Sequence, residues 1–341
     1  MNLTLKTIDS IELINKEESI FVAGHRGMVG SAICRSFNRN GFKNLLTIDR
    51  RNLDLLNSQL VDAWFQKYRP SIVVLAAAKV GGIEANRSFP VDFILNNLQI
   101  QNNVINASWK YGVKRLLFLG SSCIYPKFSE QPIKEEALLT GPLEPTNEWY
   151  AIAKITGLKL CQALRKQYNF DAITLMPTNL YGPGDNYHKD NSHVLPAMIR
   201  RFYEAYKRGD DSVTCWGTGT PLREFLHVDD LGDACLFALR FWKPESINAP
   251  TFLNGQKLSY LNIGTGVDLK IKELAEIIAE KIGFSGSIKW DNSKPDGTPK
   301  KQLDVSRIMS LGWKPKISLE KGIDHTLKDF HNQIINQNIR E

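Results

Sequence analysis

Ser19-Ile20-Phe21-Val22-Ala23-Gly24-His25-Arg26-Gly27-Met28-Val29-Gly30 is the stretch on which the fold turns. The apolar run from Ser19 to Ala23 shows no polar alternation, which is the pattern of a strand buried on both faces. It stops at a glycine-rich turn, and the segment from Met28 to Asn40 reads as a helix. The pattern then recurs. Strand-like runs stand at Leu45 to Ile48, Ile72 to Ala77, Leu116 to Gly120 and Ala172 to Met176. Helical stretches stand between them at Ser58 to Tyr68, Val91 to Tyr111 and Pro145 to Tyr168. Strands alternating with helices predict βαβ units and an α/β protein with a doubly wound parallel sheet. Right-handed crossovers then bring ligands to the carboxyl ends of the strands.

Gly24, Gly27 and Gly30 follow the spacing G-x-x-G-x-x-G. Glycines let the backbone approach a pyrophosphate, and a helix N-terminus offers it unpaired N–H groups. The bare spacing also fits a strand–helix turn without a ligand. Here the strand before it and the helix after it supply the context of dinucleotide binding. The second strand ends Thr47-Ile48-Asp49-Arg50-Arg51. Asp49 suits the ribose 2′-OH of NAD. Arg26, Arg50 and Arg51 suit the 2′-phosphate of NADP, which a guanidinium fork holds by charge-assisted bonds. The arginines favour NADP(H), and Asp49 leaves strict preference open.

After Tyr181-Gly182-Pro183-Gly184 the texture changes to loops, a helix near Leu195 to Lys207, and Gly217-Thr218-Gly219. His227-Val228-Asp229-Asp230 opens another helix, with acids that suit its dipole. A last strand spans Leu261 to Ile263, and a further helix Lys270 to Ile282. The expected organisation is a Rossmann NADP-binding domain from 19–182 and 226–264. A smaller C-terminal α/β substrate-binding lobe takes 183–225 and 265–341. Residues 1–18 read as a polar, weakly ordered extension.

Tyr150 and Lys154 share one helix face. Tyr203 and Lys207 have the same spacing, so position must separate the pairs: only the first follows a strand ending in Gly120-Ser121-Ser122. Ketone reduction needs a proton donor beside the hydride donor. Free tyrosine, with a pKa of about 10, is a poor acid at neutral pH. The expectation is that Lys154 favours the phenolate and lowers that pKa, while Ser121 holds the carbonyl oxygen.

Together, the glycine loop, Gly120-Ser121-Ser122 and Tyr150-x-x-x-Lys154 resemble the extended short-chain dehydrogenase/reductases. The resemblance implies a catalytic serine, tyrosine and lysine at Ser121, Tyr150 and Lys154. It also implies a supporting asparagine, for which Asn96 and Asn97 both stand in the matching region. Longer blocks narrow it: Ala76 to Ile83, Gly120 to Pro126, Glu144 to Asn147, Met176 to Gly182, Asn191 to His193, Arg223 to Asp230 and Lys294 to Pro299. These are similar to the branch that takes GDP-4-keto-6-deoxy-D-mannose to GDP-L-fucose, by 3,5-epimerisation and NADPH-dependent 4-reduction. The similarity runs from Phe21 to Trp313.

It implies Cys123 as the epimerisation base and His193 as the acid. Inversion beside a ketone needs such a pair across an enolate. Cys123 lies two residues past Ser121, so both reach one pocket. Taken alone, Cys123 would more often be a buried hydrophobic thiol and His193 a loop histidine. For the cofactor it implies Gly24, His25, Arg26, Gly27, Met28, Val29, Gly30, Arg50, Leu119, Gly120, Ser121, Ser122, Tyr150, Lys154, Pro177, Thr178, Asn179, Leu180 and His193. For the GDP-sugar it implies Arg201, Trp216, Arg223 and Asp296, where arginines suit a diphosphate and an indole covers a base or sugar face. It also implies a homodimer joined through the helices near 91–111 and 145–168.

The 341 residues are 43% hydrophobic and 23% charged, an ordinary globular composition. No run approaches the roughly 20 apolar residues of a membrane span, and the N-terminus has no signal-peptide h-region. The net charge of +7 is scattered, with no basic stripe to suggest nucleic acid. Five cysteines without C-x-x-C fit neither a disulfide framework nor a zinc ribbon and suggest a reducing, cytoplasmic compartment. His188 and His193 with Asp185 and Asp190 match no common metal template, so no metal is expected. Two alternatives remain: a nucleotide-sugar 4-epimerase or dehydratase that keeps NAD bound, and a non-catalytic dinucleotide sensor.

Overall fold

Chain order in the computed structural model is β1 (Ile20–Ala23), α1 (Met28–Arg39), β2 (Leu45–Leu46), α2 (Ser58–Tyr68), β3 (Ile72–Leu75), α3 (Ile83–Ser88), α4 (Pro90–Lys110), β4 (Arg115–Leu119), α5 (Glu148–Tyr168), β5 (Ala172–Pro177) and β6 (Asn179–Tyr181). It continues with α6 (Val194–Arg208), β7 (Ser212–Trp216), β8 (Leu222–His227), α7 (Val228–Phe241), β9 (Tyr260–Ile263), β10 (Asp268–Lys270), α8 (Ile271–Ile282), β11 (Ser287–Asp291), β12 (Lys300–Lys301), α9 (Ser306–Ser310) and α10 (Leu319–Ile335). The structure describes residues 12–336 except 190 and 295.

Six parallel strands form the main sheet in the order β2-β1-β3-β4-β5-β9. Successive residues of a strand point to opposite faces, and each face has its own core. Ile20, Val22, Ile72, Val74, Leu117 and Leu119 face one layer. Phe21, Ala23, Val73, Leu75, Leu116 and Phe118 face the other. Both faces are apolar, which is why the strands lack alternation. Burying one such side chain contributes about 1.5–3 kcal/mol.

Several strands end before the sequence suggested. β3 stops at Leu75 and β4 at Leu119, so residues 76–77 and Gly120 lie beyond the ladder at its carboxyl edge. Chain leaving the ladder there is what exposes backbone to a ligand. α10 has no counterpart in the sequence reading.

A third core of Leu195, Ile199, Phe202, Leu274, Ile278 and Phe330 fills the C-terminal lobe. Its sheet is built on β8, which pairs with β6, β10 and β12. The chain enters this lobe through β5 and β6 and returns through β8 into α7, which packs on α1. The edge of the main sheet and the lobe therefore face one another. Of the 1–18 segment, 1–11 lie outside the described residues. Residues 12–18 are docked: Ile14 is buried in the main core, and Glu12 pairs with Arg240. One apolar side chain in a polar stretch is a weak signal, and the burial decides it. Among the described residues, no helix is long and apolar enough to cross a membrane.

Candidate active site

The glycine loop fits a dinucleotide. Gly24 holds φ +90°, and a Cβ at Gly30 would stand 2.1 Å from the Gly24 carbonyl oxygen. That contact is with backbone and cannot relax, so only glycine lets α1 begin this close to β1. Asp49 is engaged rather than open: it pairs with Arg26 at 2.6 Å and lies 3.5 Å from His25. The acid thus fixes an exposed arginine beside the glycine loop. Arg26 and Arg50 stay exposed, and Arg50 reaches Asp54 at 3.6 Å.

Beyond β4, Ser121 is extended, and its hydroxyl accepts from the Cys123 N–H at 3.2 Å. This caps a short turn over Ser122–Ile124 and fixes Cys123 relative to Ser121. Tyr150 lies in the first turn of α5. Lys154, one turn on, is buried and donates to the Leu119 carbonyl at 2.8 Å, with Nζ 5.6 Å from the Tyr150 ring centre.

The electrostatics differ from expectation. Burial, then Cys123, raises the Tyr150 phenol above its usual range, against a hydrogen bond with Ser121 that lowers it. Lys154 does not pull it down, because burial lowers the ammonium itself to about 7. The phenol therefore keeps its proton at neutral pH and, in this pocket, is a weaker acid than free tyrosine.

His193 stands at the N-cap of α6, is exposed, and its ring makes no capping bond. Packed protein atoms, then the Lys301 ammonium, lower its pKa. The segment before it is braced by the loop after β3: Gly82 N donates to Asn191 O at 3.3 Å. Asn97 supports that loop by bonding both the N–H and the C=O of Lys79. Its side chain is spent on this and on Phe93 O.

Leu119, Gly120 and Ser122 stand at the end of β4, and Pro177, Thr178, Asn179 and Leu180 at the end of β5. Both sets lie on the edge that Gly24 to Gly30 opens onto. In the lobe, Arg201 lies 5.7 Å and Lys294 5.5 Å from the half-exposed Trp216 ring. Asp296 accepts from the Thr218 N–H and hydroxyl at 2.7 and 2.8 Å, so it holds the turn after Trp216. Arg223 is half-buried; the loss of water lowers its pKa, and Asp296, Glu144 and Cys123 oppose that. Two residues escape sequence reading. Asn147 donates to Cys123 Sγ at 3.5 Å and Lys301 at 3.4 Å. Lys301 follows a Pro/Gly/Lys loop and looks like a solvated charge.

The NAD dependent epimerase/dehydratase family model matches residues 20–249. GDP-L-fucose synthase 1 of Arabidopsis thaliana is 55% identical, over 95% of this chain and 96% of its own. GDP-L-fucose synthase of Escherichia coli (strain K12) is 51% identical, over 92% and 97%. The crystal structure of a GDP-L-fucose synthetase from Naegleria fowleri bound to NADP superposes with a TM-score of 0.85 at 26% identity, over 98% and 100%.

Proposed function

The chain belongs to the NAD dependent epimerase/dehydratase family, and on that premise we propose that it converts GDP-4-keto-6-deoxy-D-mannose to GDP-L-fucose with NADPH. The observation that carries this is the turn after β4, in which the Ser121 hydroxyl accepts from the Cys123 backbone N–H at 3.2 Å and so sets both residues in one turn. One short segment thereby serves both an inversion and a reduction. A plain 4-epimerase or a sensor has no use for that cysteine.

Cys123 takes the proton from C3, and the electron pair moves to the C4 oxygen as an enolate. His193 gives a proton to the opposite face as the enolate collapses; Cys123 then releases its proton to water and His193 takes one back, and the same exchange at C5 completes the inversions. Tyr150 then gives its phenolic proton to the C4 oxygen while Ser121 holds that oxygen. NADPH, when bound, supplies the hydride for C4. Gly24 to Gly30, with His25, Met28 and Val29, would hold its pyrophosphate, and Arg26 and Arg50 its 2′-phosphate. Lys154 would hold the nicotinamide ribose, beside Leu119 to Ser122 and Pro177 to Leu180. Trp216 and Arg201 would take the guanosine, Arg223 the diphosphate, and Asp296 would fix the turn beneath them. The partner is a second copy, joined through α4 and α5. Five unpaired cysteines fit a reducing, cytoplasmic setting.

The test is turnover in D2O with NADPH, following absorbance and deuterium at C3 and C5. Tyr150→Phe should lose roughly 10²–10⁴-fold in reduction and keep labelling. Cys123→Ser should lose labelling. Oxidation of NADPH by wild type without any label would sink the double role.

A further inference from the structure

Lys301 has an unusual partner. Its ammonium donates to Cys123 Sγ at 3.4 Å, and Asn147 Nδ2 donates to the same sulfur at 3.5 Å. Among the described residues no carboxylate pairs with Lys301, whereas its neighbour Lys300 meets Asp268 at 3.4 Å. The backbone carrying it is clamped. Lys301 stands in register with Arg223 of β8. Gln302 N donates to Gln131 Oε1 at 2.9 Å, and Leu303 N to the Glu224 carboxylate at 2.8 Å. A fixed stem lowers the entropy cost of holding the ammonium at the sulfur. A thiol sulfur is a weak acceptor, so two N–H donors converging on it match the thiolate.

We propose that Lys301 is the counter-ion that holds Cys123 as the thiolate, a positioning residue that acts through the sulfur. Its catalytic meaning rests on the reading of Cys123 as the epimerisation base. In that step a C–H bond at C3 or C5 breaks, an S–H bond forms, and the electron pair goes to the C4 oxygen. Lys301 transfers no proton in this step. Among the described residues, Tyr150, which stays neutral, and Arg223 also interact with this sulfur. Arg223 has a carbonyl partner of its own, Leu222 O at 2.8 Å. Lys301 also lowers the His193 imidazole. Removing its charge disfavours the thiolate and favours the imidazolium, so both limbs of the pH profile move to higher pH.

The experiment uses full-length protein, iodoacetamide, and mass spectrometry of the Cys123 peptide across pH. Lys301→Met should slow alkylation of Cys123 at neutral pH by about tenfold and restore it at alkaline pH, whereas Lys301→Arg should stay near wild type. Unchanged NADPH binding shows that the variants fold. Alkylation of Lys301→Met at the wild-type rate and pH overturns the proposal. Deuterium uptake at C3 and C5 separates the two claims. If alkylation shifts while uptake does not, Lys301 is the counter-ion and Cys123 is not the base. If both shift together and Lys301→Arg rescues both, both readings stand.

Discussion

Gly82 illustrates how little room the site leaves. A Cβ there would stand 2.8 Å from the carbonyl oxygen of Ser192, the residue before His193. Its φ of −66° suits any residue, so space alone demands glycine. Gly82→Ala should displace the His193 segment by a few tenths of an ångström. Deuterium exchange at C3 and C5 should then slow by about tenfold, since catalysis is steep in misplacement. NADPH binding, most of whose expected contacts lie at the glycine loop and the ends of β4 and β5, should weaken less than exchange slows. Exchange at the wild-type rate would show that His193 is not positioned from this loop. Tyr150 carries a second residue-scale lesson. An i,i+4 lysine looks like a pKa-lowering neighbour in sequence, yet it lies in the same dry pocket and shifts for the same reason.

At the scale of elements, α4 and α5 pack side by side against one face of the sheet and leave apolar residues outward. Val91 and Leu95 are one turn apart on α4, Trp149 and Ile152 on α5, and all are exposed. Exposed apolar groups grouped on adjoining helices mark an interaction surface. A second copy placing the same two helices there would bury them about a twofold axis. Sedimentation should give twice the chain mass for wild type. Leu95→Asp with Ile152→Asp should give the single chain with its sheet intact. A monomeric wild type would exclude this interface.

Across the whole molecule, the loop after β6 joins the glycine loop to the C-terminal helix. Gly184 N donates to Asp329 of α10 at 2.9 Å, and the next residue, Asp185, is buried with one carboxylate oxygen unpartnered. Burial raises Asp185 to about 7, and Asp329 adds to the shift. The folded state therefore holds this proton more tightly than the unfolded chain. Its stabilising effect is complete below about pH 4 and is lost as pH rises through about 7. Asp185→Asn should melt several degrees higher than wild type near pH 8, and the two should converge near pH 4. A gain of equal size at both values would assign the effect to packing. The sequence by itself determined the layer order, because strand and helix periods and the glycine turn are local and each strand is apolar on both faces. It also carried the Ser121, Cys123, Tyr150 and Lys154 constellation, whose members lie within two short segments. Only the tertiary structure decided that Lys301 meets Cys123, that Asp49 is spent on Arg26, and that Ile14 is buried. Those contacts join residues far apart in the chain, or depend on which charges lose their water, and neither leaves a local pattern to read.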